Sequence, residues 1–265
     1  MSAGQNTVRQ KNSGDTRVDG STPTAEQVVR LNLAATYRLI ALFGWDDLIF
    51  THVSARVPGP EPVFLINPYG LMFDEITASS LVKVGMDGLP VSATEFPVNP
   101  AGFTIHSAVH EVREDAACVI HLHTPDGTAV ATSREGLQPL NQTAQLVVDD
   151  VAYHDYEGVA LDHDERPRLQ RDLGQRNLML LRNHGTLALG ATCAEAFLRI
   201  YFLERACTMQ VRSRMLGGDL WPTAPDVIAK NAALARDSGL KTVANALVWP
   251  ALLRRLDRID PGFRA

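Results

Sequence analysis

The stretch PVNPAGFTIHSAVHEVREDAACVIHLHT, residues 97–124, governs how the rest of the chain is read. Its first half carries helix signals. Asn99 offers a side-chain oxygen to an orphan backbone N–H, and Pro100 suits the first helical position, where its missing N–H costs nothing. Ile105, Val109 and Val112 recur at near-helical spacing and form an apolar stripe. Beyond Glu114-Asp115, residues 118–123 are short, apolar and rich in strand formers. Alternate residues of a strand share a face, so His121 and His123 point the same way, about 6–7 Å apart at Cα. Two imidazoles so placed can close on one metal ion. Asn183-His184-Gly185, after the apolar run 178–181, offers a third. Spacing alone leaves a second reading open, in which these are strand histidines hydrogen-bonded to their neighbours.

Working outward, residues 1–23 are polar and charged, which predicts a mobile tail. From 24 to 43, Val28, Leu31, Ala35, Leu39 and Leu42 mark an amphipathic helix stopped by Gly44. Strands are expected over 46–57 and 63–66 around Pro58-Gly59-Pro60, then a turn at Asn67-Pro68-Tyr69-Gly70. A short helical segment follows at 77–82, with a strand near 83–86. After the central stretch come short helices at 125–133 and 141–148, a strand at 151–154 and a helical turn at 169–173. A strand pair, 178–181 and 186–189, flanks Asn183-His184-Gly185. A long helix covers 195–216, and two more fill 225–265. The pattern predicts one α/β layered domain over 24–265, a sheet covered by helices, with 225–265 as a C-terminal helical extension.

Composition narrows the class. The 265 residues are 45% hydrophobic and 21% charged, with Lys+Arg 25 against Asp+Glu 30. No basic block stands out, which argues against nucleic acid and anionic membrane as partners. Cys118, Cys193 and Cys207 are scattered and odd in number, so a disulfide framework is not expected. No run approaches about 18 apolar residues, and no apolar signal core opens the chain. A cytoplasmic protein is expected.

Other candidate groups have plain structural readings. His106 and His110 lie at i and i+4 on the central helix, a zinc-compatible spacing without the Glu of an HExxH site. The simpler expectation is one partly buried and hydrogen-bonded, one exposed. His106 could nevertheless reach a site at the helix start. Tyr153-His154-Asp155-Tyr156 could meet a substrate or simply pack at a strand end. Glu95, Asp74 and Glu75 read as solvated loop charges, and Cys118 as a small core residue.

Taken together, these residues resemble the class II aldolase/adducin superfamily over about residues 26–216. The likeness rests on His121-Leu122-His123, on Asn183-His184-Gly185 and their separation, and on Phe103-Thr104-Ile105-His106. Thr51-His52-Val53-Ser54, the stretch 64–70, TASSLV at 77–82, VAYHDYEG at 151–158 and LRNHG at 181–185 resemble the adducin-head-like bacterial branch. The resemblance implies a layered αβα domain with a central, largely antiparallel β-sheet. It also implies a homotetramer with sites near subunit boundaries, and one divalent zinc, manganese or iron ion on His121, His123 and His184. Asn67, Tyr69, Gly70 and Gly102 fall at substrate-binding positions.

Two departures bear on function. Sugar-phosphate members carry a Glu four residues before the helix histidine, where this chain has Gly102. General acid–base assistance of that kind is worth ~10²–10⁴ in rate, so His106, His52 or a metal-bound water must move the proton. The phosphate-gripping elements also read Thr51-His52 and Tyr69-Gly70 here, which points away from a phosphorylated sugar. The expectation is a metal-dependent lyase making or breaking a C–C bond in a small unphosphorylated oxo acid, hydroxy acid or carbonyl compound. The alternatives are a three-histidine iron oxygenase acting on a 2-oxo or hydroxy acid, and a non-catalytic adducin-like scaffold.

Overall fold

A computed structural model describes residues 22–236 and 239–265, so residues 1–21 of the tail expected over 1–23 lie outside the described residues. Helix α1 (Ala25–Leu42) opens with a capping box, Thr24 Oγ1 taking the Gln27 N–H at 3.2 Å and Gln27 Oε1 taking the Thr24 N–H at 2.7 Å. It stops before Gly44, whose φ of +67° suits a residue without a Cβ. Leu33, Tyr37 and Ile40 are buried, whereas Val28, expected on the apolar stripe, is exposed.

Among the described residues, seven strands form one sheet in the order β3-β2-β1-β4-β7-β6-β5. They are β1 (His52–Arg56), β2 (Phe64–Ile66), β3 (Val82–Val84), β4 (Cys118–Leu122), β5 (Val151–His154), β6 (Leu178–Leu181) and β7 (Gly185–Gly190). Every pairing is antiparallel except β5 with β6. One face of the sheet carries the larger core. Val53, Leu65, Ile120, Leu122 and Ala188 pack there with residues of α1, α3 (Pro125–Thr132), α4 (Gln142–Gln145), α6 (Cys193–Met215) and α9 (Trp249–Ile259). The other face carries Val119, Leu187 and Leu189, covered by α2 (Pro100–Val112) and α5 (Arg166–Leu173) through Ile105, Val109, Leu169 and Leu173. The layered αβα architecture with a largely antiparallel sheet is present as expected. Period-two alternation explains it, since Val53 and Ile120 face one layer and His52, Ser54, Val119 and His121 the other.

Local departures have local causes. The strand expected over 46–57 is confined to β1; residues 46–51 form a loop in which Leu48 adopts φ +50°. Residues 77–81 form a turn rather than a helical segment, and Val82 already belongs to β3. Ser80 Oγ takes the Thr77 N–H at 3.0 Å and Thr77 Oγ1 the Ser80 N–H at 3.2 Å, so hydroxyls compete for backbone groups that a helix would use. Val112 lies at the end of α2 and is exposed. The C-terminal segment contains α7 (Pro225–Arg236), α8 (Gly239–Thr242), a π-helical stretch over Val243–Val248, and α9. It joins the larger core through Trp249, Leu256 and Phe263, and Trp249 Nε1 donates to Asn32 Oδ1 at 2.7 Å.

Tyr37 ties α1 to the sheet. Its buried hydroxyl accepts the Val53 N–H at 2.8 Å and the Asn67 N–H at 3.1 Å and contacts Asn67 Oδ1 at 2.9 Å. Removing it leaves two buried N–H groups unpaired, at a cost of roughly 1–3 kcal/mol for each such group. Tyr37→Phe is therefore expected to lower the urea midpoint by an amount matching a few kcal/mol at most, with the m-value unchanged.

Candidate metal centre

The pairing of β1 with β4 and of β4 with β7 builds the site. His52 lies directly opposite His121, and Leu122 opposite Thr186. The β6–β7 hairpin turns through Asn183, whose φ of +55° is tolerated by Asn better than by most residues. At Gly185 a Cβ would stand 2.2 Å from the Leu122 carbonyl oxygen, so only glycine lets the hairpin close on the end of β4. Together these two positions bring His184 to the pair on β4.

The three Nε2 atoms converge. His121 and His123 are 2.9 Å apart there, His123 and His184 3.0 Å, and His121 and His184 3.3 Å. Hydrogen bonding assigns the tautomers of two of them. His121 Nδ1 meets the Thr186 carbonyl at 3.0 Å and His123 Nδ1 meets Asp47 Oδ2 at 3.0 Å. Both partners only accept, so both Nδ1 atoms carry the proton and both Nε2 atoms present lone pairs. Burial, reinforced by the neighbouring rings, holds His121 well below the ordinary imidazole range and His184 at about 4. Two bare imidazole nitrogens with a third ring nitrogen beside them are the kind of donor set that a divalent cation requires. With N–metal bonds of about 2.0–2.1 Å, tetrahedral or octahedral angles place ligand nitrogens about 2.9–3.4 Å apart, which matches. The residues present fit the metal ion that the resemblance implies.

A buried carboxylate braces the cluster from the opposite layer. Glu204 on α6 accepts from Thr186 Oγ1 at 2.5 Å and from Thr124 Oγ1, joining the residue after His123 to the strand after His184. Thr124 also caps α3 by accepting the Gly127 N–H at 3.0 Å. Burial pushes the Glu204 carboxyl up to about 7. Tyr156 is exposed at the rim, its ring 6.2 Å from that of His184.

A second group of histidines adjoins the first. The ring of His52 lies 5.2 Å from that of His121, and His52 Nδ1 is 2.8 Å from His106 Nε2. His106 therefore stands behind His52. His106 Nδ1 meets Ser54 Oγ at 2.6 Å, Ser54 Oγ meets His110 Nε2 at 2.7 Å, and His110 Nδ1 meets the Ala116 carbonyl at 3.0 Å. The expectation that one of His106 and His110 would be exposed is overturned, since both are buried. Ser54 on β1 gives each a polar partner inside the core. Gly102 lies against His52, where a Cβ would be 2.6 Å from Cδ2 of that ring.

The other candidates flank this region. Asn67, after β2, is buried with Oδ1 on Tyr37 and Nδ2 unpartnered, and Thr51 Oγ1 is likewise buried without a partner. Tyr69 and Gly70 form the next turn, where the Tyr69 N–H donates to the Pro97 carbonyl at 3.0 Å and Gly70 has φ +116°. His154 is taken up by Asp172 at 2.8 Å and Glu165 at 3.3 Å. Sequence reading missed Asp47, Ser54 and Glu204. Only Ser54 left a trace, at i+2 from His52 and hence on the same strand face.

Both the sequence and the fold have relatives among known proteins. Residues 31–211 match the family model described as Class II Aldolase and Adducin N-terminal domain. A Caulobacter vibrioides protein whose name assigns it provisionally to aldolase class 2 is 52% identical, over 92% of this chain and 98% of its own. Mouse alpha-adducin is 46% identical over 73% of this chain, a match that spans 26% of that protein. Among solved structures, an aldolase II superfamily protein from Pseudomonas syringae is 45% identical, with TM-score 0.85 over 93% of this chain and 98% of its own. The L-fuculose 1-phosphate aldolase of Glaciozyma antarctica shares the fold, at 24% identity and TM-score 0.79, over 96% of this chain and 97% of its own.

The brace makes a pH prediction. Glu204 binds its proton more tightly when folded, at about 7 against the ordinary 4.5 of a glutamate. Its stabilisation is fully present below 4.5 and is lost as pH rises through 7. The shift corresponds to on the order of 3 kcal/mol. Wild type minus Glu204→Gln, compared by urea unfolding, is expected to lose stability over that window.

Proposed function

The chain belongs to the class II aldolase and adducin N-terminal domain family, and we propose that it is a metal-dependent lyase making or breaking a C–C bond in a small unphosphorylated oxo acid, hydroxy acid or carbonyl compound. The observation that carries this reading is the convergence of His121, His123 and His184 at Nε2 separations of 2.9–3.3 Å. A divalent zinc, manganese or iron ion held by these three imidazoles would supply Lewis acidity toward a carbonyl or carboxylate oxygen.

The remaining roles fall to the chain's own groups. Asp47 fixes the tautomer and ring orientation of His123 in the manner of a carboxylate–histidine pair behind a metal. His52, beside His121, takes the proton-transfer role, with His106 behind it. The buried and unpartnered Thr51 Oγ1 and Asn67 Nδ2 support a substrate pocket in which each bonds a substrate oxygen, with Tyr69, Gly70 and Gly102 along its wall. The reading takes the protein as a cytoplasmic homotetramer. Among the described residues, no helix is long and apolar enough to cross a membrane. A non-catalytic scaffold is the second reading, favoured by the similarity to alpha-adducin.

Anaerobic purification without added metal, followed by elemental analysis, separates the readings. One divalent ion per chain is expected. His121→Ala and His123→Ala should lose it with the circular dichroism unchanged, and stoichiometric metal in either variant would refute the ligand assignment. Asp47→Ala should weaken metal affinity by roughly 10–100-fold. A screen of 2-oxo and hydroxy acids should then show turnover that survives removal of O₂, and His106→Ala should keep its metal while turning over more slowly.

A further inference from the structure

The buried chain behind the metal centre has a direction that can be read from its far end. A carbonyl oxygen only accepts, so the Ala116 carbonyl at 3.0 Å requires the proton of His110 to sit on Nδ1. A neutral imidazole has one N–H, which leaves His110 Nε2 as an acceptor. Ser54 must then donate its only hydroxyl proton to His110, across 2.7 Å. With that proton spent, Ser54 Oγ can only accept from His106, so His106 carries its proton on Nδ1, 2.6 Å away. His106 Nε2 is thereby an acceptor, and His52 must donate to it from Nδ1 across 2.8 Å. The last ring in the sequence, His52, is left with a bare Nε2.

We propose that Ser54, His110 and the Ala116 carbonyl are a positioning chain that locks His52 as the Nδ1–H tautomer and presents its Nε2 lone pair at the edge of the three-histidine cluster as a proton acceptor. The use of that acceptor on a substrate rests on the lyase reading, whereas the lock itself does not. Three observations support it. All four groups are buried, so water does not offer competing partners. The three rings are held neutral by burial, and the Arg56 guanidinium, bonded to the His110 carbonyl, further disfavours a charged His110. Finally, the free edge of His52 faces the start of α2 at its one residue lacking a side chain, where a Cβ on Gly102 would lie 2.9 Å from Nε2. A side chain at position 102 would therefore collide with the ring whose lone pair stands there. His121 follows the same rule on a shorter path, its tautomer set directly by the Thr186 carbonyl.

Neutron diffraction from crystals of the deuterium-exchanged, zinc-loaded protein tests the lock without any substrate. Deuterium is expected on Nδ1 of His52, His106 and His110 and absent from Nε2 of all three. In Ser54→Ala, His110 should keep its pattern, while His106 and His52 become mixtures of tautomers. Ser54→Thr should restore the wild-type pattern, which a loss of packing would not explain. Deuterium on His52 Nε2 in the wild type, or unchanged tautomers of His106 and His52 in Ser54→Ala, would overturn the proposal. Because the wild-type map is decisive alone, failure of a variant to fold does not protect it. Absence of metal from the purified protein would count against the lyase reading and leave the tautomer result standing.

Discussion

The Nε2 lone pairs of His121 and His123 repel one another, yet this fold holds them 2.9 Å apart with His184 Nε2 within 3.3 Å of both. That convergence is unfavourable unless a cation or a proton on His184 is shared among them, and much of the surrounding structure serves to hold it. The β1–β4–β7 ladders set the positions of His52, His121 and Thr186. The Asn183–Gly185 turn swings His184 in, and Asp47 reaches across from the loop before β1 to orient His123. Glu204 closes the assembly from the opposite layer by gripping the two threonines next to the histidine positions.

The sheet separates two kinds of work. Its larger face is an aliphatic and aromatic core against α1, α3, α6 and α9, free of histidine. The face toward α2 places five histidines within ring contact or one hydrogen bond of a neighbouring ring, except that Ser54 bridges two of them. Such a polar concentration in a protein interior is costly unless most of its donors and acceptors are matched. The Ala116 and Thr186 carbonyls are where that matching begins, because a main-chain oxygen cannot change its role. Rings further along take their tautomers from these fixed points, so backbone geometry sets the electronic state of side chains near the three-histidine cluster.

Local patterns were legible. Alternation in residues 118–123 placed His121 and His123 on one face, and helix start and stop signals found α1 and α2 within a residue or so. Turn chemistry found the β6–β7 hairpin. Failures cluster where a local preference lost to a distant partner or to solvent. Residues 46–51 look strand-like, but they form the loop that carries Asp47. Val28 and Val112 fit apolar stripes, yet they lie where α1 and α2 run past the edge of the core. One of His106 and His110 reads as a surface histidine until Ser54 is brought between them and the Ala116 carbonyl to His110 Nδ1.

The layered α/β architecture and the three candidate ligand positions were written into periodicity and residue type, since both depend on neighbours within a few positions along the chain. The tertiary structure alone supplied the supporting partners. Asp47 is 76 residues from His123, Glu204 is 80 from Thr124, and Ser54 is 56 from His110. No short-range rule links residues so far apart. Their pairing follows from strand order and helix packing, which place an ordinary Asp, Glu or Ser where a buried proton or hydroxyl needs a partner.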